Sequence, residues 1–189
     1  ASEEEYNRTS QPWHRGYLFH GAPGTGKTSV ARALANHFGL PTYYLPLGDM
    51  EKDTDLMTFV GQIEPRSVLL IEDVDVFHAA TEREDKQDKV SVAAMLNALD
   101  GVWTPHGLIT ILTTNDRERL DDALIRAGRI DFDEEFSLLD LDQARRLAEL
   151  LGCTEGIEPA DFVGDSPSRL IQRGRAIRQA APKLVGEAA

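Results

Sequence analysis

Gly21-Ala-Pro-Gly-Thr-Gly-Lys-Thr28 satisfies the pattern G-x-x-x-x-G-K-[ST]. The glycines let the backbone wrap closely, so that its N–H groups and the start of a following helix point at phosphate oxygens. Lys27 is placed to reach the β- and γ-phosphates, and the Thr28 hydroxyl to take a Mg²⁺ position. Gly21, Ala22, Pro23, Gly24, Thr25, Gly26, Lys27, Thr28 and Ser29 form the expected nucleotide-binding set. The alternative is a ligand-free glycine turn. The strand-like segment before the run and the amphipathic segment after it favour the nucleotide.

A phosphate loop needs a metal-holding acid at the end of a neighbouring strand. Val68-Leu-Leu-Ile-Glu-Asp-Val-Asp75 supplies three acids where an apolar run stops. Glu72 is placed to hold Mg²⁺ through water, and Asp73 to polarise the attacking water. Asn115 follows Leu108-Ile-Thr-Ile-Leu-Thr-Thr114, and a polar amide at a strand's carboxyl end can bond a γ-phosphate or orient water. Arg126 and Arg129 lie three apart around Gly128, so one turn of helix could offer both guanidinia to one anion. The plainer reading makes them surface ion pairs with Asp121, Asp122 or Asp131.

The elements that must position these groups read as strands alternating with helices, the pattern of a parallel sheet covered on both faces. Strands are expected at 16–20, 42–47, 68–71 and 108–112, with a fifth starting near Ile130. Pro46 sets the second near an edge. A helix follows the glycine run over 27–38, with Val30, Leu34 and Phe38 as its buried stripe. Another covers 55–63, and Val92, Met95, Leu96 and Leu99 mark a third. The mixed-charge segment 82–89 reads as a solvated loop. After Leu139 the pattern is all helical: Ala144, Leu147, Leu150 and Leu151 on one helix, then a last helix capped by Ser166 with Pro167 in its first position. The expected division is an α/β core over 1–138 and an all-α lid over 139–189.

Composition bounds the function classes. The 189 residues carry 20 Lys and Arg against 32 Asp and Glu, a net charge of −12. That surface disfavours nucleic acid and anionic membranes as main partners. The longest strongly apolar stretch, Val68–Ile71, is far short of the roughly 20 residues that span a bilayer. A single cysteine, Cys153, excludes an internal disulfide and fits the cytoplasm or another reducing compartment. The five histidines show no metal-ligand spacing. A start at Ala1 reads as a cut fragment.

Together these segments resemble the AAA clade of AAA+ ATPases over residues 16–136. The glycine run is similar to its Walker A, Leu69–Asp75 to its Walker B and Thr113–Asn115 to its sensor 1. Leu120–Asp131 resembles the second region of homology with its arginine fingers, and Leu96–Val102 the segment that signals between subunits. Within the clade, Arg15-Gly-Tyr-Leu18, the Glu-Asp order at Walker B and Ala-Leu-Ile-Arg-x-Gly-Arg-Ile-Asp131 resemble the mitochondrial assembly factors that translocate the folded Rieske iron–sulfur protein.

The resemblance implies a P-loop NTPase fold with a five-stranded parallel sheet and a small helical lid. It implies Mg²⁺-dependent ATP hydrolysis in a homo-oligomeric ring, hexamer or heptamer, acting on protein. It further implies that Arg126 and Arg129 serve a neighbouring subunit, and it makes Arg169 a candidate sensor 2 touching the γ-phosphate. Phe59-Val-Gly61 imitates a threading pore loop, but Leu56, Phe59, Val60 and Ile63 share helical spacing, which assigns Phe59 to the core. Handling of folded partners is therefore expected over threading. Two other classes compete: a DNA-associated clamp or helicase loader, and a scaffold that binds ATP without turning it over.

Overall fold

The computed structural model describes residues 13–50, 52–75, 90–91, 94–95, 97–98, 104–126, 128–152 and 157–180. Four apolar residues without alternation form β3, Val68–Ile71, and all four are buried, as a central strand covered on both faces requires. Around it the order is β2-β3-β4-β1-β5, with β1 at His14–His20, β2 at Thr42–Leu45, β4 at Leu108–Thr114 and β5 at Phe132–Glu135. Every pairing is parallel. The register sets His20 beside Thr114 and Ile71 beside Leu112, so β1, β3 and β4 end on one edge of the sheet.

β2 takes the outer place expected from Pro46, which falls just past its end. β5 closes the other side and is exposed throughout. The helices bounded within the described residues are α1 at Lys27–Phe38 and α2 at Asp53–Gly61, then α3 at Leu141–Leu150 and α4 at Pro167–Ala180. Short 3₁₀ turns lie at Leu47–Asp49, Arg117–Arg119 and Pro159–Phe162.

The chain divides into two compact units. One comprises Ala1–Gly21 and Lys27–Glu135, the other Ala22–Gly26 and Phe136–Ala189. The core of the first gathers Leu18, Leu69, Ile71, Leu108 and Leu112 from the sheet with Leu56, Val60, Met95 and Leu124. Each aliphatic chain so buried stabilises the fold by about 1.5–3 kcal/mol. Phe59 packs against this core, as its helical spacing predicts. In the second unit Leu139, Ala144, Ala148, Ile157 and Leu170 form a separate small core.

Two expected stripes are corrected. On α1 the buried residues are Lys27, Ala31 and Ala35, while Val30 is 39% and Phe38 63% exposed. The stripe is shifted by one position because Lys27, which α1 must bury, sets the helix's rotation and small alanines then meet the sheet. On α3 Ala144 and Ala148 are buried, Leu147 is partly buried, and Leu150 is 84% exposed. The 82–89 segment, Cys153 and, of the residues marking the expected third helix, Val92, Leu96 and Leu99 lie outside the described residues, while Met95 is buried.

Candidate active site

The glycine-rich run connects β1 to α1 with left-handed backbone at Gly21, Gly24 and Gly26 (φ 126°, 79° and 104°), angles that side-chain-bearing residues rarely adopt. Within the second unit, Thr25 Oγ1 donates to the Ala22 carbonyl at 2.8 Å and tightens the turn. Ser168 N–H donates to the Gly24 carbonyl at 3.2 Å. Pro23 and Gly24 are exposed, as is Ser29 in the first turn of α1.

In the first unit Lys27 is only 7% exposed. Its ammonium donates to the Gly21 carbonyl at 2.7 Å and to Asn115 Oδ1 at 2.9 Å. Burial lowers its pKa below the usual lysine value, opposed by the charges of Asp73 and Asp75. Asn115 Nδ2 in turn donates to Asp73 Oδ1 at 3.0 Å. Beside this chain the Thr28 hydroxyl donates to Glu72 Oε1. The structure thus brings Lys27, Thr28, Glu72, Asp73 and Asn115 together from α1 and the ends of β3 and β4.

Asp73 has φ +50°, a left-handed conformation in which Asp and Asn are enriched several-fold over other side chains. Its N–H donates to Thr113 Oγ1 at 3.2 Å, fixing the turn to β4.

Sequence reasoning gave the third acid, Asp75, no role. Asp75 is 6% exposed and accepts from Thr114 Oγ1 at 2.7 Å and from the Asn115 N–H at 3.2 Å. It therefore fixes the backbone that carries the Asn115 amide. No local pattern marks it: Asp73 two residues earlier is exposed and Val74 between them is itself buried, so alternation does not single out Asp75. A second missed contact is Asp133, which accepts from Arg117 Nε at 2.7 Å and lies 3.2 Å from His20 Nε2. His20 thus has a carboxylate partner beyond strand packing.

The arginines stand apart from each other in environment. Arg126 is exposed. Arg129 donates from a terminal nitrogen to the Ala123 carbonyl at 2.6 Å, and Asp131 pairs with Arg15 at 3.1 Å. The turn does not offer both guanidinia alike. In the second unit, Arg169 is exposed and forks onto Asp165 at 2.7 and 2.8 Å.

Among the described residues, no group of three or more His, Cys, Asp or Glu gathers to hold a metal, and no helix is long and apolar enough to cross a membrane. Thr28 and Glu72 together present hard oxygen donors, which suit Mg²⁺ held by few protein ligands and substrate phosphates.

A family description, ATPase family associated with various cellular activities (AAA), matches residues 17–138. Among curated proteins, AAA-ATPase At3g28600 of Arabidopsis thaliana is 35% identical over 167 residues, covering 78% of this chain and 35% of that protein. AAA-ATPase At2g18193 of the same plant is 39% identical over 138 residues, covering 68% and 28%. Protein HYPER-SENSITIVITY-RELATED 4, also from Arabidopsis thaliana, is 38% identical over 141 residues, covering 67% and 24%. The aligned segments span 24–35% of these relatives' lengths.

Proposed function

The chain belongs to the AAA family of ATPases, and from that premise we propose that it is one subunit of a ring that hydrolyses ATP at subunit interfaces to remodel or translocate protein. The observation that carries this reading is the hydrogen-bonded chain from Lys27 through Asn115 to Asp73, which links the phosphate-binding cation to the acid that handles water.

In the proposed mechanism the backbone amides of Gly21–Gly26 and the Lys27 ammonium hold the β- and γ-phosphates. Thr28 and Glu72 would hold Mg²⁺, Glu72 through water; the bound ion neutralises charge on the phosphate oxygens. Asp73 orients the attacking water and accepts its proton, while Asn115 holds that water or the γ-phosphate. ATP and water then give ADP and phosphate.

Arg126 and Arg129 are assigned to the neighbouring subunit's site. For Arg129, geometry supports this. The Arg129 backbone lies against Gly16, and the five residues of extended strand from Gly16 to Gly21 measure about 16 Å. A single arginine side chain does not span that distance back to its own phosphate loop.

The second unit is proposed as the lid, with Arg169 as a sensor that would exchange Asp165 for a γ-phosphate. The net charge of −12 and the core position of Phe59 favour folded protein partners over nucleic acid or a threaded chain. The likeness to the Rieske-protein assembly factors supports the same choice. Phosphate release from Mg-ATP tests the catalytic reading: turnover lost in both Lys27→Ala and Asp73→Asn supports it, and turnover retained in either contradicts it. Affinity capture with Asp73→Asn in the full-length protein tests for folded protein clients.

A further inference from the structure

Gly16 stands in the third position of β1, where a glycine weakens a strand unless something needs its space. Its φ is not in the left-handed range, so conformational freedom is not the reason. A methyl group placed on it would lie 1.6 Å from the carbonyl oxygen of Arg129 and 3.1 Å from Ile130 Cα. These are backbone atoms, which cannot swing aside as a flexible side-chain end would. The segment carrying the two arginines therefore crosses β1 at contact distance, and only glycine leaves room.

Polar contacts fasten the crossing. The Gly16 N–H donates to Asp131 Oδ2 at 3.0 Å, and the Asp131 N–H donates to the Gly16 carbonyl at 2.8 Å. Asp131 Oδ1 takes the Arg15 guanidinium at 3.1 Å. The next residue, Phe132, pairs with Tyr17 to begin β5, and the two rings stack at 5.2 Å. Both ends of the contact are thus held by the sheet.

We propose that Gly16 and Asp131 are positioning residues that, with Arg15, moor the segment bearing Arg126 and Arg129 to the start of β1 and fix where those arginines are presented. The inference rests on the reading of these arginines as catalytic groups. It makes a glycine within an otherwise ordinary strand a determinant of turnover without any contact to the nucleotide of its own subunit.

A double-mutant cycle in the full-length protein tests it. Gly16→Ala is expected to bind Mg-ATP within about twofold of wild type and to hydrolyse it at least about tenfold more slowly. In an Arg126→Ala, Arg129→Ala background the same change is expected to cost no more than about a further twofold, because the arginines through which it acts are gone. Asp131→Asn keeps an acceptor for Gly16 but gives up the charge facing Arg15. It should show a smaller loss, again abolished in the arginine-free background, and decides the matter if Gly16→Ala does not fold. Full turnover by Gly16→Ala, or an undiminished further loss in the arginine-free background, overturns the proposal and leaves the arginine reading standing. Wild-type turnover by the arginine-free protein overturns that reading, and this inference with it.

Discussion

Lys27 Nζ lies 2.9 Å from Asn115 Oδ1, joining the helix after the glycine run to the end of β4. The amide's other atom, Nδ2, is 3.0 Å from Asp73 Oδ1. Chemistry fixes this orientation: a cation needs the carbonyl and a carboxylate needs the N–H donors. One side chain therefore touches both the cation proposed to bind phosphate and the acid proposed to handle water. It would sense any γ-phosphate that drew Lys27 away.

Lys27→Ala should abolish Mg-ATP binding, because among the described residues no other side chain is seen to place a cation on Asn115 and the Gly21 carbonyl. Calorimetric titration checks it; binding within about twofold of wild type would remove the phosphate-loop assignment.

The lowered pKa of Lys27 predicts a pH dependence with a definite sign. The unfolded chain holds the lysine proton up to about the ordinary value of 10.5, and the folded chain releases it earlier. Between those two pKa values the unfolded state binds more protons, so stability rises with pH. The unfolding free energy of wild type minus that of Lys27→Met, from urea titrations without nucleotide, should increase as pH climbs toward 10.5. A flat or falling difference contradicts the burial seen here.

The two acids are separable. Asp73→Asn should bind ATP normally and turn over at least about tenfold more slowly in single-turnover hydrolysis. If Glu72→Gln shows that signature while Asp73→Asn stays active, the roles are reversed. Backbone geometry adds a finer expectation for Asp73→Glu, which would give the second acid its usual length. At φ +50° it trades a tolerated residue for a disfavoured one. It should lower the melting temperature and fail to raise turnover.

Much of this site was legible in the sequence because phosphate chemistry dictates it locally. The glycine run, the apolar β3 ending in Glu72 and Asp73, and Asn115 after β4 are each contiguous signals, and the parallel register brings their ends to one edge. What periodicity misplaced were residues whose burial is decided by tertiary contact. Val30 and Phe38 carry the helical repeat, yet Lys27 and the alanines face inward. Asp75 and Gly16 were passed over for a related reason. Their partners, Thr114 with Asn115 and Arg129 with Asp131, are distant in the chain, and no local pattern announces them.

Asp75 supplies a further test. Asp75→Ala removes the charged acceptor of Thr114 Oγ1 and of the Asn115 N–H, leaving the Thr114 hydroxyl only the Asp116 carbonyl at 3.1 Å. That should destabilise the fold by about 1–3 kcal/mol in denaturant titration. In the protein that remains folded, the catalytic rate should fall more than ATP affinity. An Asp75→Ala protein with normal turnover would show that Asn115 does not depend on this carboxylate.

The central claim, that the active site is completed by a neighbour's arginine, is tested most directly by mixing two inactive full-length proteins. Lys27→Ala keeps its arginines but cannot hold ATP, while Arg126→Ala holds ATP but lacks the exposed guanidinium, a group worth about 10³–10⁵ in rate in well-studied NTPases. Phosphate release from the mixture, with subunit exchange confirmed, should exceed the sum of the separate proteins and grow with concentration. Full turnover by a strictly monomeric wild-type protein would contradict the claim outright.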